Sequence, residues 1–276
     1  VPTLLLGCDF SCAPSARKPI VLALGHATAG GVALLRLERF ASLEAWCRWL
    51  ADQPAWIGAF DFPFGLPREL VAHLGWPMQW QPLIAHYAGL DRALIRQTFV
   101  AFCAARPVGG KFAHRATDAP AGSSPSMKWV NPPVAFMLHA GVPRLLEAGA
   151  ALPGLHVPAS AATRIALEGY PGLLARELIG RRSYKSDEAA RQTVPRREAR
   201  AELLAALEGG STRLGLRLAL GDAEREVLLA DARGDCLDAV LCLVQAAWGA
   251  ARRASAGPGY GLPAAMDPLE GWIVTA

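Results

Sequence analysis

Paired cysteines are missing from this chain. Cys8, Cys12, Cys47, Cys103, Cys236 and Cys242 are scattered through apolar runs without a CxxC spacing. That argues against a zinc site or a disulfide framework and points to reduced thiols in a cytoplasm. No apolar run reaches membrane-spanning length free of charges or breakers, and the first residues go straight into a strand-like segment with no basic region or cleavage site of a leader, so neither a membrane protein nor a secreted one is expected. Internal repeats and low-complexity tracts are absent as well, which sets aside repeat architectures. Neither sign of charge dominates: 28 Lys and Arg face 24 Asp and Glu, for a net charge of +4. This balance is compatible with a polyanionic partner but too mild to require one. What is present is a chain of 276 residues, 52% hydrophobic and 19% charged, with enough length to bury a proper core.

Residues 3–11 read as a strand in which Leu5, Gly7 and Asp9 share one face and Leu4, Leu6, Cys8 and Phe10 the other. KPIVLALGHA and GVALLRLERF read as two more strands around a turn at Gly30-Gly31, and their short connections predict an antiparallel meander. Ser42 is placed to cap a helix whose apolar residues Leu43, Trp46, Cys47 and Leu50 recur at helical spacing. WIGAF then reads as a buried parallel strand with Asp61 at its C-terminal end, where open α/β sheets place ligand-binding groups. Helical pieces and a loop rich in Gly, Pro, Ser and basic residues follow, which suggests a helical insertion over about residues 68–160 carrying a functional loop. Arg164–Leu167 reads as a strand with Glu168 at its end and Pro171 in the first turn of the next helix. The stretch 181–210 is charged and reads as a solvated, mostly helical layer; LRLALG is left as a short strand or a helix end. GDCLDAVLCLVQAAW reads as a core helix, and Trp272 and Ile273 are expected to pack back onto the body. The reading is a single α/β domain over 1–276, with three antiparallel strands followed by parallel ones.

Acids stand at the ends of three apolar elements and on the last helix: Asp9, Asp61, Glu168, Asp235 and Asp238. An ionised carboxylate on a buried element needs a cation, a donor or a raised pKa. Clustered carboxylates suit magnesium or manganese, and a two-ion site, with the ions about 4 Å apart, can activate a water and stabilise the leaving oxygen of a phosphodiester. Each acid also has a structural alternative. Asp61 can cap a turn, Glu168 can pair with Arg176, and Asp235 suits a helix N-terminus. Asp238 lies deeper among Leu237, Val240 and Leu241, so capping explains it less well and it is expected to be the better ligand of the two. Asp231 reads as a cap or turn residue. Lys111, His114, Arg115 and Lys128 share the long loop and suit a phosphate clamp, as does Lys185 with Tyr184 in SYKSD. Trp46, Trp49 and Trp56 read as core, and Cys8 and Cys236 as small apolar fillers near the acids.

The element order, with Asp9 in the first strand and DxxD on the last helix, resembles the ribonuclease H-like superfamily, with the Holliday-junction resolvase branch the nearest analogy for DCLDA. The segments GCDFS, DFPFGLP, KFAHRATD, SPSMKWVNPP, ALEGYPGLLARELIG, SYKSD and DPLEGWI resemble bacterial family 429 of the domains of unknown function, described as predicted RNase H-like nucleases. The resemblance implies a ribonuclease H-like mixed sheet and a hydrolase acting on nucleic acid. It makes Asp9 the acid that bridges metals, with Asp61 and Asp235 or Asp238 completing the site. Asp61 stands where resolvases carry glutamate, and Glu168 has no counterpart there. Two rivals remain: a phosphotransferase related to actin-like ATPases and sugar kinases, which GCDFSCAPSARK permits, and a non-catalytic binding module on the same fold.

Overall fold

In the first strand, β1 (Leu4–Asp9), alternate side chains enter two different cores: Leu6 and Cys8 one, Leu5 the other. The strand is therefore covered on both faces, as its uninterrupted apolar run requires. The computed structural model of the chain describes residues 3–159 and 163–276. β2 (Ile20–Thr28) pairs antiparallel with β1, and β3 (Gly31–Phe40) antiparallel with β2, giving the expected meander. β4 (Trp56–Phe60) and β5 (Arg164–Glu168) add in parallel on the other side of β1. LRLALG contributes β6 (Arg217–Ala219), parallel to β3 at the far edge, so the sheet order is β5-β4-β1-β2-β3-β6. Three antiparallel strands followed by parallel neighbours, with helices on both faces, are consistent with a ribonuclease H-like arrangement.

One face is covered by α1 (Leu43–Asp52) and by the helices between β4 and β5. Ser42 caps α1 as expected, its hydroxyl accepting from the Ala45 N–H at 3.1 Å. The intervening helices are α2 (Arg68–His73), α3 (Trp80–Ala88), α4 (Arg92–Ala104), α5 (Asp118–Ala121) and α6 (Val134–Glu147). The far end of the expected insertion, residue 160, lies just outside the described residues. Helix α3 was not legible in the sequence because Pro82 interrupts its pattern; Pro82 falls in the first turn, where a missing N–H costs no intrahelical bond. Trp46 and Trp56 are fully buried here.

The opposite face carries α7 (Pro171–Ile179), α8 (Val194–Gly209), α9 (Asp222–Ala230) and α10 (Asp235–Ala251). The charged stretch is not only a solvated layer: Ala199, Leu203, Leu204 and Leu207 of α8 are buried, and Tyr184 before it turns inward. Cys8 and Cys236 lie in the two different cores, on opposite sides of the sheet, and all six cysteines are buried free thiols. After α10 the tail returns as expected. Ile273 bridges to Glu168, and the Val274 N–H donates to the Glu168 carbonyl at 2.8 Å. Among the described residues no helix is long and apolar enough to cross a membrane.

Helix α10 is buried on nearly every side, and each of its large aliphatic side chains contributes about 1.5–3 kcal/mol by leaving water. It lies directly on β1 at Gly7. A Cβ there would stand 2.0 Å from the Ala239 carbonyl oxygen and 2.1 Å from the Leu243 nitrogen. Both obstacles are backbone, so neither can rotate away. Gly7→Ala is expected to destabilise the fold by about 3 kcal/mol or more, read as a shift of the urea midpoint. A loss below ~1 kcal/mol would show that α10 is free to lift off the sheet.

Candidate active site

Strand parity decides which acids meet. On β1 the face of Leu5 and Gly7 continues to Asp9, and on β4 the face of Ile57 and Ala59 continues to Asp61. Both acids therefore point toward α10. The parallel register sets Cys8 against Phe60, and the Asp61 N–H donates to the Cys8 carbonyl at 2.9 Å, so the strands end together. The first turn of α10, just before the residues Ala239 and Leu243 that pack over Gly7, adds Asp235 and Asp238 above the same edge. The start of α10 is shaped by Gly234, at φ 77°, and by Asp231, whose carboxylate accepts from the Cys236 N–H at 2.8 Å. Asp231 thus has the capping role expected of it.

Gathered like charges raise one another's pKa. Asp9 is pushed well above the usual carboxylate range, by burial first and then by Asp238, with Lys185 opposing. Asp61 rises to about 7, from burial and from Asp238. Asp235 rises to about 6, from burial, Asp231 and Asp238. Asp238 differs in its partners. It is fully buried, one carboxylate oxygen accepts from the Tyr184 hydroxyl and the other from the Lys185 ammonium. The acid expected to be the better ligand is thus the one whose oxygens are both taken, and Asp235 is the one that faces open space. Lys185, expected as a phosphate clamp, is held in an ion pair with it.

Three cavities meet at Asp61 and Lys185. The largest, about 630 Å³, is lined by Asp9, Asp61 and Asp235 together with Lys18, Lys185 and Arg233. A second, about 410 Å³, runs along the start of α7 past Arg176, Arg181 and Arg182. The third, about 210 Å³, is more apolar, with Phe62, Pro63, Met137 and Tyr170 in its wall. Asp61 and Lys185 thus stand at the crossing point, with Asp9 and Asp235 beside Lys18 and Arg233 in the largest cavity and Arg176, Arg181 and Arg182 in the second.

Glu168 stands apart from Asp9 and Asp235, although it shares the smallest of the three cavities with Asp61 and adds to that acid's upward shift. On β5 it shares the face of Ala166, which packs into the opposite core, so it points toward the insertion. There it meets Arg115 in place of the expected Arg176, whose guanidinium donates to the Gly122 carbonyl at 2.9 Å and the Tyr170 hydroxyl at 3.0 Å. Arg115 donates to Glu168 at 2.7 and 2.8 Å, to Asp118 at 3.0 and 3.2 Å and to the Glu270 carbonyl at 3.1 Å, and is 3% exposed. Burial disfavours its charge, yet Glu168 and Asp118 outweigh that and raise its pKa. Burial also pushes Glu168 up, which Arg115 only partly offsets. We read the pair as ionised, because a guanidinium does not lose its proton in a protein. Arg115 is therefore a structural knot with its donors spent, which corrects the clamp expected of it. Lys111, His114 and Lys128 line none of the three cavities; the loop reaches the cleft through Arg115, whose donors are already engaged, and through Ser123, Ser124 and Pro132.

The donor chemistry fits a hard cation. Asp9, Asp61 and Asp235 offer oxygens to one cleft, where burial first and neighbouring carboxylates second raise their pKa values, with Lys185 opposing. Among the described residues no three His, Cys, Asp or Glu side chains form a ready-made metal cage. Magnesium does not need one, since it keeps several waters and takes one or two carboxylates plus substrate phosphate. Lys18, Arg233 and the Tyr184 hydroxyl were not singled out as groups meeting these acids. Lys18 sits in the loop directly after β1, a position that could have flagged it; nothing local distinguishes Arg233.

Fold and cleft together define a mixed α/β protein of ribonuclease H-like arrangement with an acid-centred, basic-flanked groove. The chain belongs to the family described as protein of unknown function (DUF429), which matches residues 7–265. Comparison with curated proteins and with solved structures gives no match.

Removing the knot is expected to be costly. Arg115→Met leaves Glu168 and Asp118 buried without their cation and should destabilise by about 3–5 kcal/mol, measured by chemical denaturation; an effect under ~1 kcal/mol would dismiss the knot. The cleft acids give a pH dependence. Folding raises Asp61 from 3.8 to about 7, so the folded chain keeps a proton that the unfolded chain has already released. Its contribution to stability is complete below that lower value and is lost as pH rises through the upper one. Without divalent ions, the melting temperature should fall across this window, and Asp61→Asn should flatten the fall.

Proposed function

We propose that this protein is a magnesium- or manganese-dependent phosphodiesterase acting on nucleic acid. The observation that carries the reading is the cleft in which Asp9, Asp61 and Asp235 converge from three elements, with Lys18 and Arg233 on one side and Arg181 on the other. Asp9 and Asp61, at the ends of adjacent parallel strands, and Asp235, at the start of α10, would supply the one or two carboxylates that hold the cation, with water completing its shell. When bound, such an ion lowers the pKa of water and neutralises charge on a phosphoryl oxygen.

The chain's own residues do the rest. Mutual repulsion among the carboxylates makes the empty arrangement unfavourable and hence receptive to positive charge. Lys18, Arg181 and Arg233 suit phosphates on either side of the scissile one, which orients the strand across the acids. The Arg115 knot holds β5, the loop and the tail as one wall, so that the groove keeps its shape without being part of the chemistry.

A panel of RNA, DNA, hybrid and branched substrates, assayed with manganese or magnesium, tests this reading. Metal-dependent cleavage is expected on at least one of them, with Asp9→Asn lowering it by about a hundredfold or more. Cleavage that survives unchanged in that variant would remove the mechanism. Arg181→Ala with Arg233→Ala should weaken nucleic-acid binding and reduce its salt dependence by about one unit of slope per lost phosphate contact. Filter binding over a salt series reads both effects.

A further inference from the structure

Lysine is scarce in this chain. Among its many basic residues only Lys18, Lys111, Lys128 and Lys185 are lysines, and Lys185 stands at the meeting point of the three cavities. Its ammonium bonds one oxygen of Asp238 while the Tyr184 hydroxyl donates to the other. Asp238 is wholly enclosed, whereas the Lys185 side chain is 42% exposed. The ammonium therefore covers, from the cleft side, one oxygen of a buried carboxylate whose other oxygen is taken by Tyr184. It acts on the neighbouring acids too, opposing the upward shifts of Asp9, Asp61 and Asp235.

The placement is held by other parts of the fold. Arg200, 4% exposed, donates to the Tyr184 carbonyl at 2.7 Å and to the Leu229 carbonyl at 3.0 and 3.1 Å, which ties the segment before Lys185 to the end of α9. At Gly234 a Cβ would stand 2.8 Å from the Lys185 Cβ, so a glycine is needed where the lysine passes the start of α10. The residue type also fits. An ammonium is a compact, strongly hydrated point charge, nearer to a metal ion than the planar fork of a guanidinium.

From this geometry we propose that Lys185 is the resident cation of the cleft: its Nζ occupies the cation position against Asp238, so the cleft takes one divalent ion, on one or two of Asp9, Asp61 and Asp235, and not two ions. The proposal rests on reading the cleft as a cation site. Lys185 is thereby a positioning residue, which sets how many ions enter and on which side.

The test is the stoichiometry of manganese binding, read from the free-ion EPR signal during titration of the full chain. The wild type should bind one ion. Lys185→Met should bind one more than the wild type, because Asp238 is uncovered, and Lys185→Arg should keep the wild-type number. Adding Asp238→Asn to Lys185→Met should abolish the extra ion, which separates a vacated site from nonspecific loosening. Circular dichroism confirms that each variant is folded, and Lys185→Gln serves if the methionine variant is not. Two ions on the wild type, or no gain in the folded Lys185 variants, would overturn the proposal. Cleavage assays on the same samples separate the two readings. One ion without hydrolysis would sink the nuclease and leave Lys185 in its role; hydrolysis with two ions would do the reverse.

Discussion

A helix can lie against β1 at backbone contact only because residue 7 has no side chain. That contact fixes how far α10 sits along the strand and which of its turns overhangs Asp9. A larger residue would move the helix away and separate the carboxylates of the helix from those of the sheet. Hydrophobic burial supplies the energy for this packing, but the backbone-to-backbone approach supplies the position. The cleft is in this sense a by-product of core packing, with acids placed where the packed elements end.

Two buried arginines do for the loops what Gly7 does for the helix. Arg115 gathers the long loop, β5 and the tail through Asp118, Glu168 and the Glu270 carbonyl. Arg200 gathers the SYKSD segment and the end of α9 through backbone carbonyls. Each binds irregular chain to the regular scaffold where side chains are too short or too polar to pack. The positive charges that look, in sequence, like ligand-binding groups are divided by burial into those that hold the walls and those that face the groove.

Much of the fold was legible because it rests on local periodicity. The meander, the capped α1, the buried strand ending at Asp61 and the apolar α10 follow from alternation, helical spacing and cap chemistry. Helix α3 was hidden by Pro82, and β6 is too short for any periodicity to appear. At the site, Asp9, Asp61 and Asp235 could be placed on element ends from the sequence. The same alternation that put Asp9 beside Leu5 also excludes Glu168 from that face, an inference available once β5 is set in register with β4. The pairing of Lys185 with Asp238, and of Arg115 with Glu168, was beyond reach because each joins segments more than fifty residues apart with no local signature of contact.

The knot at Glu168 has a consequence for the order in which the molecule is made. It needs Arg115, then Glu168, then the Glu270 carbonyl, and the Glu168 backbone also waits for Val274. Helix α10, which brings Asp235 to the cleft, is likewise synthesised after every strand of the sheet. A ribosome-bound chain can form the meander early, since its contacts are local. It cannot close the cleft until the residues around 235–274 have emerged. Whatever chemistry the acids perform is therefore withheld from the nascent chain until the last core helix and the tail have emerged.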